Sequence, residues 1–415
     1  MPDHPNQNVD TLKKWLNKGA SSMAVLGLSG SARAYFLTRV LADLDRPCLV
    51  VLPDGKEAQR FHRELLFFMS GPEADEDAPE PRLQQFFPYD MTPLTGLSPH
   101  HELVTRRIRA LYALTSNRNP IVITSIEALC FKIIPKASLL NSLEYLETGE
   151  EVDRELFIRR LEITGYQRTS LVEERGDYSV RGGVIDIFSP LYPLPIRLEF
   201  WGDRLESIRQ FDPISQRSQN HTNEMILLPA GEIIMDEPNV QRARSMGRLP
   251  GTDAGTGFPG QEAWLNHFYS HPDTLLQYLP QDGIITLFDP HRLPSEGRKI
   301  EKKFERDTER FREESAEKGV PFPDIDGVFV PFDNLTEALK DHQRIEFSEL
   351  DLRETGPAEE TIKIHGPFQL EDDLEVRLAD KKRVSMAPFA QKVASWLETR
   401  STVVITCSTE QQAGR

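Results

Sequence analysis

The stretch that most restricts how this chain can fold runs from Glu173 to Phe211. Tyr178 and Val180, then Val184, Ile185 and Ile187, carry a strand signal on either side of Gly182-Gly183. Those two glycines predict a turn or bulge where the backbone takes a positive φ. Gly202-Asp203 separates two further strand-like runs, Ile196 to Trp201 and Arg204 to Phe211. Four short runs joined this way predict a β-meander.

The surroundings read differently. Met23 to Leu28 is a buried-strand run, followed by a Gly/Ser loop at 27–34 that opens a helix. Cys48 to Pro53 is the next apolar strand, with a helix after it to Phe68. Strand, glycine loop, helix, strand, helix is the start of a mainly parallel α/β sheet. Leu83 to Pro88 and Pro120 to Thr124 add strands, and a long helix lies between them, with Leu103, Ile108, Leu111 and Leu114 along one side. The acidic, proline-rich segment 71–82 is a solvated loop. Asp10 is expected to cap a short first helix ending at Gly19, and Ser125 to cap another.

Arg154 to Ile163 predicts the helix that leads into the meander, so boundaries fall near 150 and 215. Beyond them come a helix at Asp236 to Met246, two short helices within Glu262 to Leu279, and a strand at Gly283 to Asp289. A highly charged helix with i,i+4 pairing follows at Pro294 to Gly319, then a short helix and a strand at Arg344 to Phe347. The expected units are 1–150, 151–213, 214–350 and, after a linker, 356–415. That last unit restarts an α/β pattern with strands at Thr361 to Ile364 and Thr402 to Cys407, and stops soon after, as expected of a piece of a longer protein.

At 415 residues and a net charge of −16, the chain is long enough for two to four units and too acidic to coat nucleic acid or anionic lipid wholesale. Cys48, Cys130 and Cys407 stand apart without metal-ligand or redox spacing, the pattern of a reducing, cytoplasmic setting. No apolar run approaches the ~20 residues a membrane-spanning helix needs.

Candidate chemistry is sparse. The loop at 27–34 lies where a P-loop belongs, but that loop needs G-x-x-x-x-G-K-[ST] to cradle phosphates, neutralise their charge and hold Mg²⁺. Counted from Gly27, Gly30 falls off register, Ala32 takes the second glycine position, Arg33 the lysine and Ala34 the hydroxyl residue. A strand–helix turn therefore outweighs an ATPase. At the matching acidic strand end, Asp289 is present but Pro290 stands where a second carboxylate is needed. His100-His101-Glu102 projects its side chains about 100° apart and reads as a solvated helix start, not a metal site. In the meander region Arg159, Arg160, Arg168, Arg175 and Arg181 alternate with Glu162, Glu173, Glu174 and Asp177. Such mixed charge fits a protein interface or an ordinary salt-bridged sheet face better than a nucleic-acid stripe.

The run Arg175-Gly-Asp-Tyr-Ser-Val-Arg-Gly-Gly-Val-Ile-Asp-Ile-Phe188, with Ile196 to Asp203 and Leu205 to Asp212, resembles the UvrA-binding module shared by UvrB and the bacterial transcription-repair coupling factors. Phe86-Phe-Pro-Tyr-Asp90, Ser98-Pro-His-His and Arg106/Arg107 resemble the first domain of the coupling factors. Three departures from UvrB favour the coupling factors' N-terminal region: the altered P-loop, the short Met91 to Ser98 where UvrB has a DNA-inserting hairpin, and Asp289-Pro290-His291 at the acidic motif. The resemblance implies an α/β fold: a degenerate P-loop, helicase-like parallel-sheet domain interrupted by a small α+β insert, with a further small α/β domain beginning after it. It implies a non-catalytic adaptor that recruits UvrA where RNA polymerase has stalled. It places the UvrA contacts on Arg168, Arg175, Arg181 and Phe188, with Ser179 where UvrB has an arginine. No cofactor is expected here; ATP and Mg²⁺ belong to a motor elsewhere in the longer family members, as do the contacts to RNA polymerase and double-stranded DNA. The family further implies that C-terminal parts mask the insert. The alternative is an active, ATP-dependent UvrB-like DNA-processing enzyme, which requires phosphate binding at 27–34.

Overall fold

The computed structural model describes residues 5–19, 21–71, 82–116, 119–250, 257–350 and 360–364, with five positions near the C-terminal end, 390, 391, 394, 395 and 398. The chain divides into two units, Met1–Ile364 and His365–Arg415. In the second unit the described positions are helical, within the helix expected at Pro388 to Thr399. The strand expected at Thr402 to Cys407 lies outside the described residues.

In the first unit, β1 (Ser22–Leu26), β2 (Cys48–Leu52), β3 (Leu83–Phe86) and β4 (Ile121–Ser125) come from the first 125 residues. The middle of the chain supplies β5 (Glu144–Glu147), β6 (Gln167–Arg168), β7 (Asp177–Arg181), β8 (Val184–Ile187), β9 (Ile196–Trp201), β10 (Arg204–Phe211), β11 (Ser218–Thr222) and β12 (Glu224–Leu227). The chain then returns to the first layer with β13 (Ile284–Phe288), β14 (Gln343–Ser348) and β15 (Glu360–Lys363). The large sheet has the order β15-β1-β14-β13-β2-β4-β3 and is parallel throughout.

Its strands are apolar on both faces, as a sheet covered by helices on each side requires. Leu49, Val51, Val122, Ile285 and Leu287 enter one core, while Cys48, Val50, Ile121, Ile123, Ile284 and Phe288 enter the other. The second core is closed by helix Pro5–Lys18, through Leu12, Trp15 and Leu16, and by helices Ala32–Leu41 and Gly55–Ser70. Asp54 caps Gly55–Ser70 by accepting from the Glu57 amide at 2.9 Å.

Several expectations need correction. The first helix begins at Pro5, so Asp10 lies inside it; Gly19 does end it, at φ +72°. Ser125 sits at the N-cap of Ile126–Leu129 with extended backbone, but its hydroxyl makes no capping bond. The strand at 361–364 does not begin a further domain. It is β15, paired in parallel with β1 at the edge of the large sheet. Its apolar Ile362 is buried there, which a four-residue strand read in isolation does not reveal. The insert also extends past 213: its six-stranded sheet, β11-β10-β9-β8-β7-β6, continues to Thr222, and the β5–β12 pair closes its base.

Candidate functional site

The insert folds as its alternation dictates. Tyr178, Ile185, Ile187, Ile196, Leu198, Phe200, Leu205 and Ile208 share one core with Phe157 and Leu161 of helix Arg154–Ile163. Asp153 caps that helix through the Leu156 amide, at 2.9 Å. The buried hydroxyls find partners: Tyr166 donates to the Leu228 carbonyl at 2.6 Å and Tyr178 to Glu162 at 2.7 Å. Both glycines of the β7–β8 turn are required. Gly182 has φ +57°, and a Cβ on Gly183 would lie 2.7 Å from the Phe200 carbonyl oxygen.

The other face of this sheet is polar and paired. Arg197 donates to both carboxylate oxygens of buried Asp186, at 2.7 and 2.9 Å, and lies over the Phe211 ring. Arg209 reaches Glu199 at 3.0 Å, and Ser207 donates to the same carboxylate at 2.7 Å. A salt-bridged sheet face was one of the two readings of the sequence, and the central strands show one. At its margins the surface is open. Arg168 is exposed on β6, and Arg181 is exposed at the end of β7, donating to the Ser170 carbonyl at 2.6 Å. Trp201, beside the Gly182-Gly183 turn, is 82% exposed.

The remaining two expected contact residues are placed differently. Phe188 is buried with Val172 and Phe211. Arg175 stacks on Phe188, 4.9 Å from its ring centre, and pairs with Glu102 at 3.2 Å. Glu102 opens helix His101–Thr115 of the first layer, so Arg175 links the insert to its scaffold. His101 packs against Gly176, where even a methyl group would overlap its ring. That helix start is therefore an internal contact and not the solvated end expected for His100-His101-Glu102. Burial lowers the pKa of His101, opposed by Asp177 and Glu174. Burial, then the charge of Arg175, brings Arg109 on the same helix down to about 10. No group of residues that could hold a metal ion occurs among the described residues.

The loop at 27–34 lies at the carboxyl end of β1, where open α/β sheets bind ligands. Gly27 has φ +91°, and its amide donates to the Ser348 carbonyl at 3.1 Å. Gly30 has φ +53° and accepts from the Arg33 amide. Ala32 begins the helix and Ala34 is buried in it. Arg33 pairs with Asp289 at 3.1 Å, and both side chains are largely shielded from solvent. Arg33 also lies over Phe288, which stacks on Phe347 with centroids 4.8 Å apart. Asp289 itself holds φ +47°, its amide bonded to the Phe347 carbonyl at 2.8 Å. The two charged residues that a phosphate and a metal would engage are thus engaged with each other. Above the loop, the Ile364 carbonyl oxygen lies 2.2 Å from where a Gly27 Cβ would be.

Alternation read outward as well as inward would have found Arg197, Glu199 and Trp201, which share a face at every second position of β9. The Arg175–Glu102 contact had no comparable signal, because the partners are 73 residues apart and on different layers.

Fold and site together define a helicase-like α/β protein whose parallel sheet carries an antiparallel insert. The insert coincides with a UvrB interaction domain, matched over residues 145–232. Across 413 residues the chain is 31% identical to a transcription-repair-coupling factor of Myxococcus xanthus, covering 94% of this chain and 34% of that protein. The factor of Escherichia coli K12 is 25% identical over 342 residues, covering 79% and 28%, and that of Haemophilus influenzae is 26% identical over 314 residues, covering 72% and 26%. The chain is a relative of the transcription-repair-coupling factors and spans about a third of their length.

Proposed function

We propose that this chain is a non-catalytic adaptor that recruits UvrA through its insert, with Arg168, Arg181 and Trp201 as the exposed anchors. In a longer protein of the kind it resembles, this role would be coupled to RNA polymerase stalled on double-stranded DNA and to an ATP-driven motor. The exposure of these side chains around a rigid, internally paired sheet within the UvrB interaction domain carries the reading. Arg and Trp are the side chains that most often dominate an interface, the guanidinium through bidentate carboxylate pairing and the indole through buried area. Arg175 and Phe188 act one step back, holding the insert against helix His101–Thr115. The Arg33–Asp289 pair supports the non-catalytic part of the reading, since nucleotide entry would have to break it.

Calorimetric titration with UvrA tests this. Arg181→Ala and Trp201→Ala should each weaken binding by about 1–3 kcal/mol, a typical loss for an interface anchor. Unchanged affinity in both variants, with the fold intact by circular dichroism, removes the assignment. Titration with Mg-ATP should give no saturable heat; clear affinity would favour the enzyme alternative.

A further inference from the structure

A cavity of about 110 Å³ lies apart from both the insert face and the 27–34 loop, between the segment after β3, helix Leu293–Lys318 and the turn Gln261–Trp264. Its apolar wall includes Phe131 and Phe304, packed edge to face with centroids 5.4 Å apart, with Leu265 and Ile300 beside them. An apolar cavity of ~150 Å³ is enough to hold a benzene ring. Its polar side is acidic. Glu232 is buried and already taken, pairing with buried Arg107 at 2.6 Å. Glu262 also lines the cavity, and among the described residues it forms no ion pair with a lysine or arginine. It accepts from the Ser98 hydroxyl at 3.3 Å, and Ser98 is itself held by the Gly260 amide at 3.1 Å. Glu262 is thus a positioned carboxyl at an apolar cavity, with a second carboxylate nearby and no cation of its own. Burial, with the charge of Glu232 adding to it, pushes Glu262 up to about 7.

We propose that this cavity binds a small aromatic amine, its ring against Phe131 and Phe304 and its ammonium on Glu262. The arrangement fits that chemistry on both counts. Edge-to-face rings leave an apolar slot for a third ring, and the ammonium supplies the charge that the Glu262 carboxylate lacks. A neutral ring of the same size gains only the first contribution, and an anion is opposed by Glu232 and Glu262 together.

Benzylamine serves as the probe and benzyl alcohol as its neutral counterpart, each titrated into the full chain and followed by calorimetry or by chemical shifts. Benzylamine should bind saturably and at least tenfold more tightly than benzyl alcohol. Glu262→Gln should abolish that preference while leaving the alcohol's affinity unchanged. Ile300→Trp, which fills the cavity from the helix side, should remove binding of both. Equal affinity for the two probes on the native protein, no saturable binding, or benzylamine binding that survives both substitutions would overturn the proposal.

Discussion

At the residue scale, the buried charges are distinguished by whether they have partners. Arg107 is enclosed between the Phe86 and Tyr89 rings, 4.0 and 4.3 Å from their centres, and bonds both Glu232 and the Phe87 carbonyl. Glu262 has no such cation, and its pKa near 7 makes it a source of pH dependence. Its folded-state pKa lies above the ordinary 4.5, so the folded protein holds this proton more tightly than the unfolded chain does. The stability that follows is fully present below pH 4.5 and is lost as pH rises through 7. Glu262→Gln lacks that loss. Denaturant titrations should show the native protein falling by about 3 kcal/mol relative to the variant between pH 4.5 and 8; parallel pH profiles would refute it. Nothing in the sequence singled out Glu262 or Glu232. Glu232 is 125 residues from Arg107, and a lone glutamate in a loop carries no periodicity to read.

At the element scale, β15 is the least expected strand and the most consequential for the glycine loop. Four hydrophilic-flanked residues after a presumed linker looked like a new beginning, whereas the two strands next to β1 both come from the far end of the chain. The long apolar runs β1, β2, β4 and β13 were legible because burial on both faces leaves an unbroken apolar signature. The meander was legible because its turns carry glycine at fixed positions. β15 had neither mark. Its end is fitted to Gly27: the Ile364 amide donates to the Leu26 carbonyl at 2.9 Å and its own carbonyl fills the space a side chain would need. Gly27→Ala should therefore displace β15 and cost at least about 2 kcal/mol, from the positive φ and the backbone overlap together. Hydrogen exchange should quicken at Ile362 and Ile364 well before it does in β13. An unchanged melting temperature and unchanged exchange at those amides would show that the contact imposes no such constraint.

At the scale of the whole first unit, the insert is anchored to its scaffold by Arg175, Glu102 and the His101–Gly176 packing. A double-mutant cycle on Arg175→Ala and Glu102→Ala should return a coupling of about 1–2 kcal/mol for so shielded a pair, and zero coupling would mean the two are independent. Arg175→Ala should lower UvrA affinity less than Arg181→Ala does, because its charge is directed inward. The sequence showed the insert and its scaffold as two patterns; it did not show the surface that joins them, which is made of single residues from each. The strand order has one more consequence, for the time course of synthesis. β1 meets its neighbours β14 and β15 more than 300 residues later, whereas every antiparallel pair from β7 to β11 closes within a short span. At ~5–20 residues per second, β1 leaves the ribosome roughly a quarter of a minute to a full minute before it can be paired. The recruiting insert is therefore the part of this molecule that can assemble first, while the sheet that carries it is still waiting for its central strands.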